Sequence, residues 1–177
     1  MQAALAAGLM GLAVAVGYDA WYRSTLIVRE RERVRASMVP YARALENAIG
    51  RRVGRLQGLK TFVEAQPSPE ELSRKFNTFA AGLRIAAPGI RALQLDKNGR
   101  IIATEPRADG ARLLGYNQLT DPRAEIVRDV RRAMVDSGVV ITGPVKLLQG
   151  GEGLLIRLRL DRIPASFPDL VSAALEL

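Results

Sequence analysis

The side chains that could do chemistry on this 177-residue chain are carboxylates, arginines, lysines and tyrosines, because it has no histidine and no cysteine. Their absence removes the commonest general base, the commonest metal ligand, the thiol nucleophile and every Ser-His-Asp arrangement. The carboxylates Asp161, Asp169 and Glu176 show no clustering typical of a metal site. We therefore expect a protein that is not an enzyme, with no catalytic residue, metal or cofactor.

Three basic side chains, Lys146, Arg157 and Arg159, lie on the polar faces of two predicted strands and could form an anion site. A solvated sheet face is the simpler explanation, and the pattern favours it. The run Gly150-Gly151-Glu152-Gly153 invites comparison with a phosphate-binding loop, but no helix follows it to present backbone donors. It predicts a hairpin turn instead.

The elements that position these residues lie between residues 121 and 160. A helix is predicted to begin at Asp121-Pro122, where the carboxylate can cap free backbone donors, and to end at Gly138. Residues 139–148 are β-branched and apolar, which favours a strand. Residues 154–161 alternate between apolar and polar, which predicts a strand with one wet face.

This order of elements resembles the CHASE family, the extracytoplasmic sensor domains of bacterial histidine kinases, diguanylate cyclases and plant cytokinin receptors. The family has a V-x-T-G/S-P-x-x-L-L strand after a helix, then a turn and a strand that begins G-L/V. The matching residues are Ala133 to Gly138, Val140 to Pro144, Leu147-Leu148 and Gly153 to Leu155, with further similarity at residues 59–65 and 88–94. The resemblance covers roughly residues 55–177. It implies a PAS-like fold, a small-molecule ligand and a cyclase, phosphodiesterase or kinase output domain that this chain does not contain.

The remaining segments predict an α+β fold. Ser68-Pro69-Glu70-Glu71 is a capping box that starts a helix, and Asn98-Gly99 is typical of a two-residue hairpin turn. A last strand is expected at residues 170–177. Together the elements predict a PAS-like five-stranded antiparallel sheet with a long N-terminal helix, preceded by a membrane anchor. The buried face of the capped helix is expected to comprise Leu72, Phe76, Phe79, Ala80 and Leu83.

The predicted domains are a transmembrane signal anchor (1–22), a stem helix (23–66) and a PAS-like CHASE sensor domain (67–177). Residues 1–17 carry no charged side chain, and Trp21-Tyr22 follow like an interfacial belt. The apolar run is short for a hydrocarbon core of about 30 Å. A cleavable signal peptide is therefore the alternative to an anchor.

The net charge of +8 is concentrated in the stem, which has ten basic and three acidic residues between positions 23 and 60. Basic residues after the apolar run place the domain in the cytoplasm by the positive-inside rule, whereas the resemblance places it in the periplasm. We prefer the periplasm, with the anchor in the inner membrane. Nucleic acid is not an expected partner, because few aromatic residues interleave with the basic ones.

An apolar stripe at three-four spacing runs along the stem, with Pro40 inside it as a kink or helix start. Either two copies pair through the stripe as a coiled coil, or much of it lies along the domain. A homodimer through the stem is the preferred interpretation. The stripe consists of Val34, Met38, Tyr41, Leu45, Ile49, Leu56, Leu59 and Val63.

A PAS-like sheet leaves a cavity beneath the segment inserted after its second strand, here residues 105–138. Asn117 stands where family members often carry an aspartate, so no ligand identity is carried over from them. The function expected is a membrane-anchored periplasmic sensor that binds a small molecule and relays it through helices. The alternative is a membrane-anchored assembly protein whose stem binds a partner. The ligand-binding residues expected are Leu93, Leu95, Thr104, Tyr116, Asn117, Thr142 and Arg157, with Ile102 as further lining and Leu155 as the alternative to Arg157.

Overall fold

A computed structural model describes residues 37–161 and 164–176, except for the side chains of Asp109 and Ala111. The chain divides into two compact units, Met1–Ala48 and Ile49–Leu177. In the first unit residues 37–48 are helical, including Pro40. The predicted anchor at residues 1–22 lies outside the described residues, within which no helix is both long and apolar enough to span a bilayer.

The second unit is α+β, as predicted. Its helices are α1 (residues 49–64), α2 (Pro69–Ile85), α3 (Gly110–Leu113) and α4 (Ala124–Val135). Its strands are β1 (Ile90–Lys97), β2 (Arg100–Glu105), β3 (Val140–Lys146), β4 (Glu152–Arg159) and β5 (Leu170–Glu176). Short 3₁₀ turns occur at Arg107–Asp109 and Gln118–Thr120.

The five strands form one antiparallel sheet in the order β2-β1-β5-β4-β3, which confirms the predicted sheet. The β1–β2 hairpin turns at Asn98-Gly99, whose φ angles of 51° and 72° suit the mirror-image turn that such a pair favours. Strand β5 lies in the centre between β1 and β4. It therefore joins the two hairpins into one sheet.

Helices α1 and α2 cover one face of the sheet. The Ser68 hydroxyl accepts a hydrogen bond from the backbone nitrogen of Glu71 (3.2 Å), so α2 starts at the predicted capping box. Phe62 of α1 stacks on Phe79 of α2 with ring centroids 3.9 Å apart and planes 7° from parallel. The buried residues of this core from the two helices are Leu56, Leu59, Val63, Leu72, Phe76 and Ala80.

This packing places the second half of the predicted stem stripe along the domain. The side chains of Leu56, Leu59 and Val63 are fully buried in the core. In the first unit, by contrast, Met38 and Tyr41 are largely exposed. The stripe is therefore exposed to solvent at Met38 and Tyr41 and buried in the core from Leu56 to Val63.

The opposite face of the sheet is covered by α4 and by the segment that precedes it. Here α4 begins later than predicted, at Ala124, and Asp121 is not its N-cap. The Asp121 carboxylate instead accepts a hydrogen bond from the backbone nitrogen of Arg123, two residues on. The helix also ends earlier, at Val135, because the Asp136 carboxylate turns the chain by accepting from the backbone nitrogen of Gly138 (2.9 Å).

Candidate ligand-binding site

A buried arginine lies at the centre of the sheet face that α4 covers. Arg157 of β4 has an exposed fraction of 0% and faces Val140 and Ser172 on the neighbouring strands. The solvated face favoured from the sequence is therefore wrong for Arg157. A buried guanidinium is costly unless its donors are satisfied, so its partners define the site.

The hydrogen-bond partners of Arg157 are neutral. Its Nη1 donates to Thr142 Oγ1 (2.7 Å), while Nη2 and Nε both donate to Gln118 Oε1 (2.8 and 3.3 Å). Among residues 37–161 and 164–176 it forms no ion pair. Burial lowers the pKa of Arg157, although the negative charges of Asp96, Asp129 and Asp121 oppose that shift. The site thus holds a cation whose strongest class of partner, a carboxylate in contact, is missing.

A buried carboxylate lies one strand beyond Ser172. Asp96 of β1 is fully buried, and its Oδ2 accepts a hydrogen bond from the Ser172 hydroxyl. Burial raises the pKa of Asp96 above its ordinary value, although the Ser172 hydrogen bond and the Arg157 charge lower it in part. Its second oxygen, Oδ1, has no partner. The cluster therefore offers an acceptor as well as donors.

A second cluster of charged and polar side chains lies in the segment before α4. The Tyr116 hydroxyl donates to Asp121 Oδ2 (2.7 Å), and the Arg123 guanidinium donates to both oxygens of Asp121 (2.8 and 2.6 Å). Burial alone would raise the pKa of Asp121, but the Arg123 hydrogen bonds outweigh it and hold the pKa at about 2. Burial and the Asp121 contact raise the pKa of Tyr116. These groups stay in fixed ionisation states around neutral pH.

A small cavity lies beside Gln118, and neither Arg157 nor Asp96 lines it. Its volume is about 30 Å³, and it lies between Gln94, Tyr116, Gln118, Gln149 and Leu155. The side-chain nitrogens of Gln118 and Gln149 are buried here without a partner. Unpaired buried polar atoms are uncommon because each costs free energy. Two such atoms lie beside this one cavity.

The structure brings together three of the seven residues predicted to bind a ligand. Tyr116 lines the cavity together with Gln118, and Arg157 donates to both Thr142 and Gln118. Asn117 lies next to them, but its Oδ1 accepts from the backbone nitrogen of Leu119 (3.0 Å) and caps a 3₁₀ turn.

The other predicted residues lie elsewhere. Leu93 and Leu95 are in the core under α1 and α2, on the opposite face of the sheet from Arg157. Thr104 and Ile102 of β2 line a separate, open cleft of about 510 Å³ beside α2, which Leu95 also reaches. The sequence therefore placed residues from two different locations in one pocket.

Sequence reasoning missed Asp96, Gln118 and Ser172. A signal for two of them was present: if Leu93 and Leu95 face one side of β1, then Gln94 and Asp96 face the other. The same alternation along β5 puts Ser172 on that second face. No comparable pattern marks Gln118, which lies in a polar loop. Within the described residues, no group of three carboxylates comes together as a metal site.

Solved structures with a similar fold include sensory domains of bacterial chemoreceptors. The ligand-binding domain of the amino acid chemoreceptor PctC of Pseudomonas aeruginosa, solved with GABA, matches with a TM-score of 0.53 at 16% sequence identity, over 76% of this chain and 55% of that chain. The ligand-binding domain of the Pseudomonas fluorescens chemoreceptor CtaA, solved with L-serine, gives 0.53 at 13% identity, over 75% and 52%. An extracellular ligand-binding receptor from Desulfohalobium retbaense gives 0.58 at 12% identity, over 76% and 23%.

The fold is thus similar to that of bacterial chemoreceptor sensory domains. The chain spans about half the length of the two Pseudomonas domains and less than a quarter of the Desulfohalobium receptor. No protein-family model matches the sequence, and no curated protein does so either. The more specific resemblance to CHASE domains stays a prediction.

Proposed function

We propose that this domain is the extracytoplasmic sensor of a receptor, and that it binds a small molecule carrying a carboxylate at the Arg157 cluster. The observation that carries the proposal is the fully buried Arg157 guanidinium, which has neutral partners where an anionic one would bind more strongly. Its role is binding rather than catalysis. The membrane anchor expected at residues 1–22 and the output domain implied by the resemblance to CHASE domains are part of the same proposal.

In this proposal, the Gln118 side chain occupies the position of the ligand carboxylate when no ligand is bound. Its Oε1 accepts from both Nε and Nη2 of Arg157, as one oxygen of a bound carboxylate would. Its displacement by a ligand carboxylate would exchange a neutral acceptor for an anionic one at Arg157. Since the cavity of about 30 Å³ is too small for an amino acid, ligand entry requires Gln118 and its 3₁₀ turn to move outward.

An amino acid suits the second half of the cluster. The unpaired Oδ1 of Asp96 can accept from an ammonium group while Arg157 binds the carboxylate at the other end. The two Pseudomonas domains are in complex with amino acids, GABA in one and L-serine in the other. Small α- or ω-amino acids are therefore the first ligand class to test.

The experiment is isothermal titration of the 177-residue chain with GABA, L-serine and butyrate. Arg157→Gln should abolish binding of all compounds that bind. Arg159→Gln is the matched control and should leave binding unchanged. Arg159 lies on the same strand, but its guanidinium donates to Asp161 and to the Val135 carbonyl. Asp96→Asn should weaken amino acids and leave butyrate unaffected. Gln118→Ala should tighten binding, because it removes the competing side chain.

Two results would contradict the proposal. One is the absence of binding by a wider set of amino acids and carboxylates at millimolar concentration, with the protein folded by circular dichroism. The other is binding that Arg157→Gln and Arg159→Gln reduce equally. In either case the Arg157 cluster would be a feature of the folded core alone.

A second candidate function is assembly through the first unit. Met38, Tyr41 and Leu45 repeat at three-four spacing on residues 37–48 and are largely exposed. That spacing is the seam of a two-stranded coiled coil, so we propose a second copy of this chain as the partner. Leu45→Glu should shift a dimer to a monomer in analytical ultracentrifugation. Asn47→Glu, an equal charge change at an exposed position off the seam, should not.

A further inference from the structure

An open cleft lies on the other side of the domain from the Arg157 cluster. It has a volume of about 510 Å³, within the range of small-molecule sites, and lies between α2, the outer strand β2 and the loop before β5. Its inner wall is apolar and consists of Leu72, Phe76 and Leu95. These three side chains belong to the buried core, so they form the floor of the cleft and give it an apolar base.

The mouth of the cleft is apolar as well. Ile102 and Leu114 are 46% and 53% exposed, and both line it. Large aliphatic side chains exposed beside one concavity form a patch rather than scattered surface residues. An occupant that reaches the mouth would cover them.

The polar groups of the cleft point to an anion. Thr104 Oγ1 is buried without a hydrogen-bond partner in a residue that is only 4% exposed. Arg107 provides the one charged side chain among the described residues that line the cleft. Its Nε and Nη2 donate to the side-chain oxygen of Asn77 on α2 (2.9 and 2.6 Å), which holds the guanidinium at the wall. A fixed cation and a free hydroxyl suit a carboxylate.

We infer that this cleft is a second binding site, for a small monocarboxylate with an aromatic or aliphatic body. The carboxylate would bind Arg107 and accept from the Thr104 hydroxyl, and the body would cover the exposed side chains of Ile102 and Leu114. The site shares no lining residue with the cavity beside Gln118. It therefore does not depend on the function proposed above.

The test uses phenylacetate as the probe and phenylacetamide as its uncharged analogue, titrated into the ¹⁵N-labelled 177-residue chain. Phenylacetate should shift amide resonances of residues along the cleft, such as Ser73 and Ile102, and leave those of Ser172 unchanged. Arg107→Gln should weaken binding about tenfold, the usual effect of losing a hydrogen bond to a charged group. Arg112→Gln, the matched loss of an exposed arginine outside the lining, should leave the affinity unchanged.

Two further variants separate a binding role from a structural one. Thr104→Val should weaken phenylacetate binding without lowering the melting temperature of the free protein, because the hydroxyl makes no hydrogen bond there. Ser73→Trp should block the cleft from the exposed side of α2, while Thr78→Trp on the same helix should not. Equal binding of phenylacetamide, shifts centred on Ser172, or no shifts at millimolar phenylacetate would each overturn the inference.

Discussion

The Lys60 ammonium lies 2.7 Å from the Asp161 carboxylate, and this contact fastens helix α1 to the end of strand β4. The backbone nitrogen of Asp161 also donates to the Glu64 carboxylate (2.7 Å) on the same helix. Arg159 bonds Asp161 from the other side and donates to the Val135 carbonyl at the end of α4 (2.7 Å). The helix that covers the Arg157 cluster is thus linked to α1 through the strand that carries Arg157.

We predict that this link contributes a modest amount to stability. The Lys60 and Asp161 side chains are partly exposed, so the coupling free energy should be about 0.5–1 kcal/mol. The measurement is a double-mutant cycle of Lys60→Met and Asp161→Asn by urea unfolding. A coupling of zero would show that the contact contributes nothing to the fold.

The acid limb of the stability profile should depend on Asp121. Its folded pKa of about 2 lies below the ordinary 3.8, so the ionised form is stabilised by folding. That stability is complete above the unfolded pKa and is lost as the pH falls from 3.8 towards 2. Unfolding of wild type and Asp121→Asn across this range should show a shallower acid loss in the variant. Parallel profiles would contradict the assignment.

Asp96 should have the opposite effect at higher pH. Burial raises its folded pKa, so between the ordinary 3.8 and the raised value the folded state binds more protons than the unfolded one. The stability that Asp96 contributes is therefore present below the unfolded pKa and is lost as the pH rises through the folded pKa.

The measurement is urea unfolding of wild type and Asp96→Asn from about pH 4 to about pH 7. The stability of wild type relative to the variant should fall as the pH rises. A constant difference between the two proteins would mean that Asp96 titrates alike in the folded and unfolded states.

Gly153 is required by a close approach between strands. A Cβ there would overlap the carbonyl oxygen of Leu175 on β5 and crowd Leu147. Gly153→Ala should therefore lower the free energy of unfolding by about 1–3 kcal/mol. Gly82→Ala on α2 meets nothing within 4 Å and should raise it by up to about 1 kcal/mol, because alanine is the better helix former. Chemical denaturation of the two variants checks both signs. Equal effects would show that strand spacing adapts to the added methyl.

The sequence was most informative where short-range physics decides the structure. The Ser68 cap and the Asn98-Gly99 turn depend on neighbouring residues, and both are present as predicted. The five antiparallel strands could also be predicted, because their hydrophobic patterns are separated by clear turn residues.

The candidate site was harder to predict, because β1 and β5 are buried on both faces. Alternation then separates the two faces without telling which one the inserted segment covers, and the apolar Leu93 and Leu95 were assigned to the wrong location. Arg157 looked like a surface residue because a charged side chain in a strand usually faces water. Its burial depends on α4 and Gln118, which are distant in sequence.

The strand order has a consequence for how the chain folds. The β1–β2 and β3–β4 hairpins do not contact each other in the sheet, and only β5 bridges them. During synthesis the two hairpins can form locally, but they remain separate until residues 170–176 have left the ribosome. The Asp96–Ser172 contact requires β5 in place, so the buried polar cluster is incomplete until β5 joins the sheet.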